Sequence, residues 1–141
     1  MSGGETRGER NCNPGNVIRD TTHWLGMLPE IDQADRRFCR FSAPVYGIRA
    51  LCRILLSYQR IDGCKTLAEV IGRYAPKSEN DTAAYVDDVV ARTGIAADGP
   101  LDLEQKSELA AVARAIILHE NGRCRYDAAT IDEGAALALG K

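Results

Sequence analysis

A glutamate, Glu120, stands at the end of the apolar face of a predicted helix. The apolar residues before it have the spacing i, i+3, i+4, i+7 and i+8 that places side chains on one helix face. They are Leu109, Val112, Ala113, Ile116 and Ile117. Glu120 takes the next position on that face, and Gly122 then ends the helix. Because burial disfavours an ionised carboxyl group, Glu120 is the candidate general acid. The alternative is a solvated glutamate at a frayed helix end.

Side chains that suit sugar binding occur far from Glu120 in the sequence. Amides both donate to and accept from hydroxyl groups, and aromatic rings pack against the apolar face of a pyranose. The candidates for substrate contacts are Asn13, Asn16, Trp24 and Tyr85. Each also has a structural alternative, since asparagines cap turns and large aromatic rings fill cores.

A second carboxylate is needed if water is the nucleophile in an inverting hydrolysis. Glu79 is the first candidate for this second catalytic group, followed by Asp81, Asp20 and Glu9. The alternative for Glu79 is an ion pair with an arginine, and the alternative for Asp81 is a helix cap.

Composition predicts one globular domain over residues 1–141, with an irregular segment at residues 1–12. The chain has 141 residues, of which 45% are hydrophobic and 27% charged, which is enough for one core. Several arginines make the first half locally basic, so a DNA-associated helical protein is an alternative. The net charge of −2 and the lack of a recognition helix argue against nucleic acid as a partner.

Cysteine and histidine usage indicates neither a disulfide framework nor a metal centre. The five cysteines form no C-x-x-C pair, and His23 and His119 are far apart in sequence. We therefore expect reduced thiols, no metal and no cofactor. No stretch approaches the length of a membrane span, and the first ten residues lack the features of a secretory signal. We expect a monomer that is made in the cytoplasm.

Capping and turn signals divide most of the chain into helices, which makes the fold class mainly α. The first predicted helix runs from Ser42 and Pro44 to Asp62, and the second from the capping box of Thr66 and Glu69 to Tyr74. The third runs from Asn80 or Asp81 to Gly94, and the fourth is the long helix that ends at Glu120. The capping box of Thr130 and Glu133 begins a final short helix. Short extended segments at residues 17–19 and 37–41 predict one small β-hairpin, so the full prediction is α+β.

Two segments resemble enzymes that degrade peptidoglycan. Residues 113–122, ARAIILHENG, are similar to the helix that carries the acid glutamate in soluble lytic transglycosylases and related lysozyme-like enzymes. There a small polar residue such as serine follows the glutamate, and Asn121 stands in its place here. A second set of residues resembles the part that follows the glutamate in bacterial glucosaminidases and lytic transglycosylases. In those enzymes this part consists of an Asn-containing hairpin, an aromatic strand and a helix. Here the set comprises residues 13–16, 24–26, Phe38, Phe41 and residues 46–50.

The resemblance implies a lysozyme-like helical domain in which Glu120 is the general acid that cleaves β-1,4 bonds of peptidoglycan glycan strands. In those families the glutamate helix precedes the Asn-rich hairpin, whereas here it follows. A circular permutation reconciles the two orders, because the termini of compact domains often lie together on the surface. It predicts that Glu120 folds back beside Asn13 and Asn16. Hydrolase and transglycosylase chemistry both stay open.

The stretch from RNCNPGN to SENDT also resembles small phage and prophage proteins described as virion structural proteins. The competing function is therefore a non-catalytic virion component or cell-wall-binding protein. An enzyme of this kind would act at the bacterial cell wall, and it would reach the wall through a holin, by delivery from a virion or as a secreted effector.

Overall fold

The computed structural model describes residues 4–140, and this part of the chain is mainly helical, as predicted. The helices are α1 (Arg7–Arg10), α2 (Pro44–Arg60), α3 (Leu67–Tyr74), α4 (Thr82–Thr93), α5 (Lys106–Asn121) and α6 (Ala128–Ala138). A single 3-10 turn, Glu30–Asp32, interrupts the long loop between α1 and α2. No helix within residues 4–140 is long and apolar enough to cross a membrane.

The predicted β-hairpin is wrong, since residues 4–140 contain no strand. Residues 17–19 and 37–41 meet through one isolated bridge, which joins Ile18 to Phe38. Side chains of the loop take the backbone donors that would extend this bridge into a ladder. Asp35 accepts a hydrogen bond from the Arg37 N–H, and Asn13 accepts one from the Val17 N–H. Local side-chain bonds of this kind compete with strand pairing.

The segment predicted to be irregular, residues 1–12, contains the short helix α1. Thr6 and Glu9 form its capping box: the Thr6 hydroxyl accepts from the Glu9 N–H, and the Glu9 carboxylate accepts from the Thr6 N–H. This reciprocal pair satisfies two backbone donors and supports a single helical turn.

Most predicted helix ends agree with the structure, and two starts differ from the prediction. Asp81 caps α4, and Gly122 ends α5 in the left-handed conformation at φ 75°. α2 begins at Pro44 after Ala43, without a side-chain cap from Ser42. Asp127 caps α6 by accepting from the Thr130 N–H, so that helix begins before the predicted capping box at Thr130.

The core forms around α2 and α5. α2 packs against α3, α5 and α6, and α4 packs against α3 and α5. The predicted apolar face of α5 is buried, and its members Leu109, Val112 and Ile116 are all 0% exposed. At the α2–α6 contact, a Cβ on Gly134 would lie 2.5 Å from Ile48 Cγ2, so only glycine allows this approach. The core therefore fixes the end of α5 against the rest of the domain.

Candidate active site

A cleft of about 460 Å³ opens where the end of α5 meets the loop that follows α1. Its walls come from that loop, from the second half of α2, from the end of α3 with the connection after it, and from the last turn of α5. The side chains that line it include Asn16, Ile18, Asp20, Trp24, Arg37, Phe38, Ile54, Tyr58, Tyr74, Glu79, Asn80 and Glu120.

Glu120 lies half-buried in the cleft, at the end of the apolar face of α5. Each carboxylate oxygen accepts one hydrogen bond. The Asn16 side-chain amide donates to Oε1 at 2.9 Å, and the Tyr85 hydroxyl donates to Oε2 at 2.9 Å. The prediction that Glu120 folds back beside Asn16 is confirmed. Two donors from separate parts of the chain hold the carboxylate in one orientation, and each oxygen keeps a lone pair for another partner.

The loop at residues 13–16 brings Asn16 to Glu120. Asn16 has a left-handed backbone, φ 53°, which asparagine tolerates better than most residues, and its N–H donates to the Asn13 carbonyl at 3.0 Å. Asn13 is 0% exposed, and its side-chain amide donates to the carbonyls of Val17 and Cys39 and accepts from the Val17 N–H. Asn13 therefore holds the loop together, and the prediction that it contacts substrate is corrected.

Tyr85, on α4, positions Glu120 from the protein interior. The residue is 1% exposed, so the predicted substrate contact by Tyr85 is also corrected. Burial, and then the negative charge of Glu120, raise the pKa of Tyr85, so that its hydroxyl stays a donor. The Tyr85 ring stacks on His119 with centroids 3.7 Å apart, and His119 Nδ1 is 2.8 Å from Asp88. A chain of contacts from α4 thus fixes the end of α5.

Asn121 and Arg123, which follow Glu120 in the sequence, hold the segment containing α1 against the end of α5. We call this set of contacts the clamp. The Asn121 side chain accepts from the Thr6 hydroxyl at 2.6 Å and donates to the Pro14 carbonyl at 2.7 Å. Arg123 donates to both oxygens of Glu9, at 3.0 and 2.6 Å. The Arg123 guanidinium lowers the pKa of Glu9 to about 2. Glu9 is therefore engaged in the clamp, and this corrects its candidacy as a second catalytic carboxylate.

The other predicted acids have different positions. Glu79 lines the cleft and forms an ion pair with Arg37, with Nη2 and Oε1 3.4 Å apart. Asp20 also lines the cleft. Asp81 accepts from the Ala84 N–H as the cap of α4, which corrects its candidacy as a catalytic acid. Trp24 lines the cleft and also packs against the buried cluster of Val17, Cys39, Phe41 and Ala50.

Other residues also build the site. The Tyr74 hydroxyl donates to the Gly15 carbonyl and ties the loop to the end of α3. Ile54 and Tyr58 of α2 line the cleft, and no sequence signal marks either of them as a site residue. The capping box of Thr6 and Glu9 was the available signal for the clamp. No sequence signal pairs Glu9 with Arg123.

The titratable side chains of residues 4–140 form no cluster suited to a metal. No group of three or more His, Cys, Asp or Glu in this part of the chain could hold an ion. The cysteines at positions 12, 39, 52, 64 and 124 are free thiols, and burial raises the pKa of the Cys52 thiol to about 12. A thiol held protonated by an apolar core is unreactive.

Comparison with known proteins identifies a relative among phage proteins. No protein-family model matches the sequence. The sequence is 38% identical over 131 residues to "Protein P5" of Pseudoalteromonas phage PM2, an alignment that covers 91% of this chain and 79% of the phage protein. The name of that protein states no activity.

Proposed function

The chain belongs to the family of protein P5 of Pseudoalteromonas phage PM2, and we propose that it is an enzyme that cleaves the glycan strands of peptidoglycan, with Glu120 as its general acid. The observation that carries the proposal is the position of Glu120. Its carboxyl group lies in a cleft of about 460 Å³. Two hydrogen-bond donors fix its orientation, and each oxygen can still form a hydrogen bond with a ligand.

The shape and lining of the cleft suit a sugar polymer. Trp24, Phe38 and Tyr58 provide aromatic surface, and the exposed amide of Asn80 provides donors and an acceptor for hydroxyl groups. A preformed cleft that combines aromatic surface with polar groups is typical of ligand sites.

In the proposed reaction, protonated Glu120 donates its proton to the glycosidic oxygen as the bond from that oxygen to the anomeric carbon breaks. The resulting carboxylate then accepts a proton from the hydroxyl group that attacks the anomeric carbon. In a lytic transglycosylase this hydroxyl belongs to the same sugar, which closes into an anhydro ring. In an inverting hydrolase it belongs to water, and a second carboxylate such as Glu79 or Asp20 accepts that proton in place of Glu120.

The structure supports the single-carboxylate route better than the inverting route. Glu79 forms an ion pair with Arg37, and its side chain is 56% exposed, which is not the setting of a carboxylate that activates water in a closed site. We therefore favour transglycosylase chemistry within the proposal. The lysozyme-like resemblance and the circular permutation form part of the same proposal, and the contact of Glu120 with Asn16 supports them.

A non-catalytic role at the cell wall is the second candidate. The observation that favours it is that both oxygens of Glu120 already accept hydrogen bonds from the protein, as those of a structural carboxylate do. A virion component or wall-binding protein of this kind would bind peptidoglycan and release no soluble fragments. An assay for soluble fragments released from cell walls therefore tests both the enzyme and this alternative.

The test is Glu120→Gln, assayed by the release of soluble muropeptides from purified cell walls. Gln preserves the shape of the side chain, and the Tyr85 hydroxyl can turn to accept from its amide. We expect activity to fall about 100-fold or more, with a thermal midpoint unchanged within a few degrees. Glu133→Gln, an exposed acid of α6, is the matched control. Full wall-degrading activity in Glu120→Gln would defeat the assignment, and loss of folding would indicate a structural carboxylate.

Mass spectrometry of the products separates the two chemistries. Anhydro ends indicate the transglycosylase, and reducing ends indicate the hydrolase. Binding of the wild-type protein to walls without any soluble product supports the non-catalytic alternative.

A further inference from the structure

Arg37 and Glu79 face each other across the cleft from opposite walls. Arg37 belongs to the loop between α1 and α2, and Glu79 belongs to the connection between α3 and α4. Their side chains are each 56% exposed, and the contact between Nη2 and Oε1 is long, at 3.4 Å. An exposed ion pair of this geometry adds little stability, so a competing anion can replace Glu79 at small cost.

The backbone of Arg37 is fixed, although its guanidinium is exposed. Its N–H donates to Asp35 Oδ1 at 2.9 Å, and its carbonyl accepts from the Arg19 N–H at 2.8 Å. The guanidinium carbon lies 5.2 Å from the centroid of the Phe38 ring, which supports the planar group from one side. The Arg37 head is therefore presented to the cleft from a rigid base.

Arg7 provides an internal comparison, because it contacts the same ring. Its guanidinium lies 4.5 Å from the Phe38 centroid, and it donates to both oxygens of Asp35 at 2.6 and 2.7 Å. Arg7 thus has a close bidentate carboxylate partner within the protein. The Arg37 guanidinium has only the long contact with Glu79 among the carboxylates of residues 4–140. A planar guanidinium with unused donors is suited to bidentate binding of a carboxylate from a ligand.

The charge distribution of the cleft gives Arg37 a distinct role. The other charged residues that line it, Asp20, Glu79 and Glu120, are acidic. Among the described residues that line the cleft, Arg37 is the one cation. An anionic group on a ligand is therefore favoured beside Arg37 and disfavoured beside the acidic residues elsewhere in the cleft. In peptidoglycan, the peptide stems that branch from the sugar chain carry free carboxylates.

We propose that Arg37 and Phe38 form a subsite for a carboxylate of the peptide stem, and that Glu79 is the partner which this carboxylate displaces. The proposal rests on the proposed cleavage of peptidoglycan. It makes the enzyme selective for glycan that carries stems over glycan from which the stems have been removed. Arg37 acts here in substrate binding, and Glu79 holds the guanidinium over the cleft when no ligand is present.

The test compares two substrates, purified glycan with its peptide stems and the same glycan stripped of stems by an amidase. For Arg37→Gln we expect kcat/KM to fall about tenfold on the stem-bearing glycan and to stay unchanged on the stripped glycan. Arg36→Gln is the matched control, since Arg36 is the exposed neighbour of Arg37 and does not line the cleft. An equal loss on both substrates, or no loss on either, would overturn the subsite.

Glu79→Gln tests the exchange separately. Releasing Arg37 from its pair should strengthen binding of the stem-bearing glycan about twofold to fivefold. Loss of cleavage on both substrates would instead identify Glu79 as a catalytic carboxylate and refute the exchange.

A binding measurement separates failure of the subsite from failure of the proposed function. Calorimetry with Glu120→Gln and soluble stem-bearing muropeptides should show an affinity that falls about tenfold when Arg37→Gln is added. If wild-type protein cleaves neither glycan but this affinity difference is found, the proposed cleavage fails and the subsite stands. If muropeptides with and without stems bind alike to both variants, the subsite is wrong whatever the activity.

Discussion

Replacing Glu9 by Gln tests the clamp that carries the Asn16 loop to Glu120. The Glu9 side chain is 5% exposed and accepts two hydrogen bonds from Arg123 and one from the Thr6 N–H. Its pKa is lowered from 4.5 to about 2. At 1.36 kcal/mol per pKa unit, this shift corresponds to about 3 kcal/mol of stability at neutral pH. The Arg123 side chain is 31% exposed, and solvent screening of its charge reduces the figure to about 2 kcal/mol.

Thermal unfolding at pH 7 measures this quantity. In a chain of 141 residues, a loss of about 2 kcal/mol lowers the midpoint by about 6 °C. Glu5→Gln removes the same charge from an exposed neighbour and serves as the control. Hydrogen exchange should show the loss first in the amides of residues 6–16, because the clamp connects that segment to α5.

The pH dependence gives the stricter test. The pKa of folded Glu9 lies below its ordinary value, so its ionised form stabilises the fold fully above about pH 4.5. That contribution disappears as the pH falls towards 2. The difference between wild type and Glu9→Gln should therefore shrink to less than about half between pH 7 and pH 3. A difference that is independent of pH, or no difference at pH 7, would refute the assignment of the stability to this ion pair.

Two further substitutions probe the elements that hold the loop and the acid. Gly47→Ala should destabilise the protein by about 2 kcal/mol in chemical denaturation, because its Cβ would lie 2.0 Å from the Cys12 carbonyl oxygen. Gly72→Ala, a glycine of α3 with open space around it, should be neutral or stabilising, and an equal loss in both would contradict the packing argument. Tyr85→Phe should cost about 1 kcal/mol and lower wall-degrading activity about tenfold, because Glu120 loses one of its two donors. Unchanged activity in Tyr85→Phe would show that this hydroxyl does not position the acid.

The helices could be predicted because their signals are local. The capping box of Thr66 and Glu69, the cap at Asp81 and the left-handed Gly122 act within a few residues of each helix end. The apolar spacing of α5 likewise predicted which face is buried. The same kind of signal, in Thr6 and Glu9, also specified α1, but the glycines and asparagines around it favoured a loop. The hairpin prediction failed because Asp35 and Asn13 satisfy the backbone donors of Arg37 and Val17 that strand pairing would use.

The candidate site could be predicted only in part, because its residues meet through the tertiary structure. The position of Glu120 followed from helical periodicity, and its contact with Asn16 followed from the resemblance to peptidoglycan-degrading enzymes. The burial of Asn13 could not be predicted, because the sequence does not distinguish an asparagine whose amide binds sugar from one whose amide holds a loop together. The depth of Tyr85 could not be predicted for a similar reason: helical spacing places its ring inward and leaves open whether its hydroxyl reaches the cleft.

The clamp and the candidate acid share one short stretch of backbone, and this links stability to activity. Glu120, Asn121 and Arg123 lie within four positions, and their partners on the α1 side are 104, 115 and 114 residues away in sequence. Loosening the contacts of Asn121 or Arg123 therefore removes the support of the loop that carries Asn16. A substitution outside the cleft, such as Glu9→Gln, should then weaken the orientation of Glu120 without changing any residue that lines the cleft. Its loss of activity should recover when the segment is held in place by other means, such as a disulfide between the segment and α5, whereas the loss in Glu120→Gln should not.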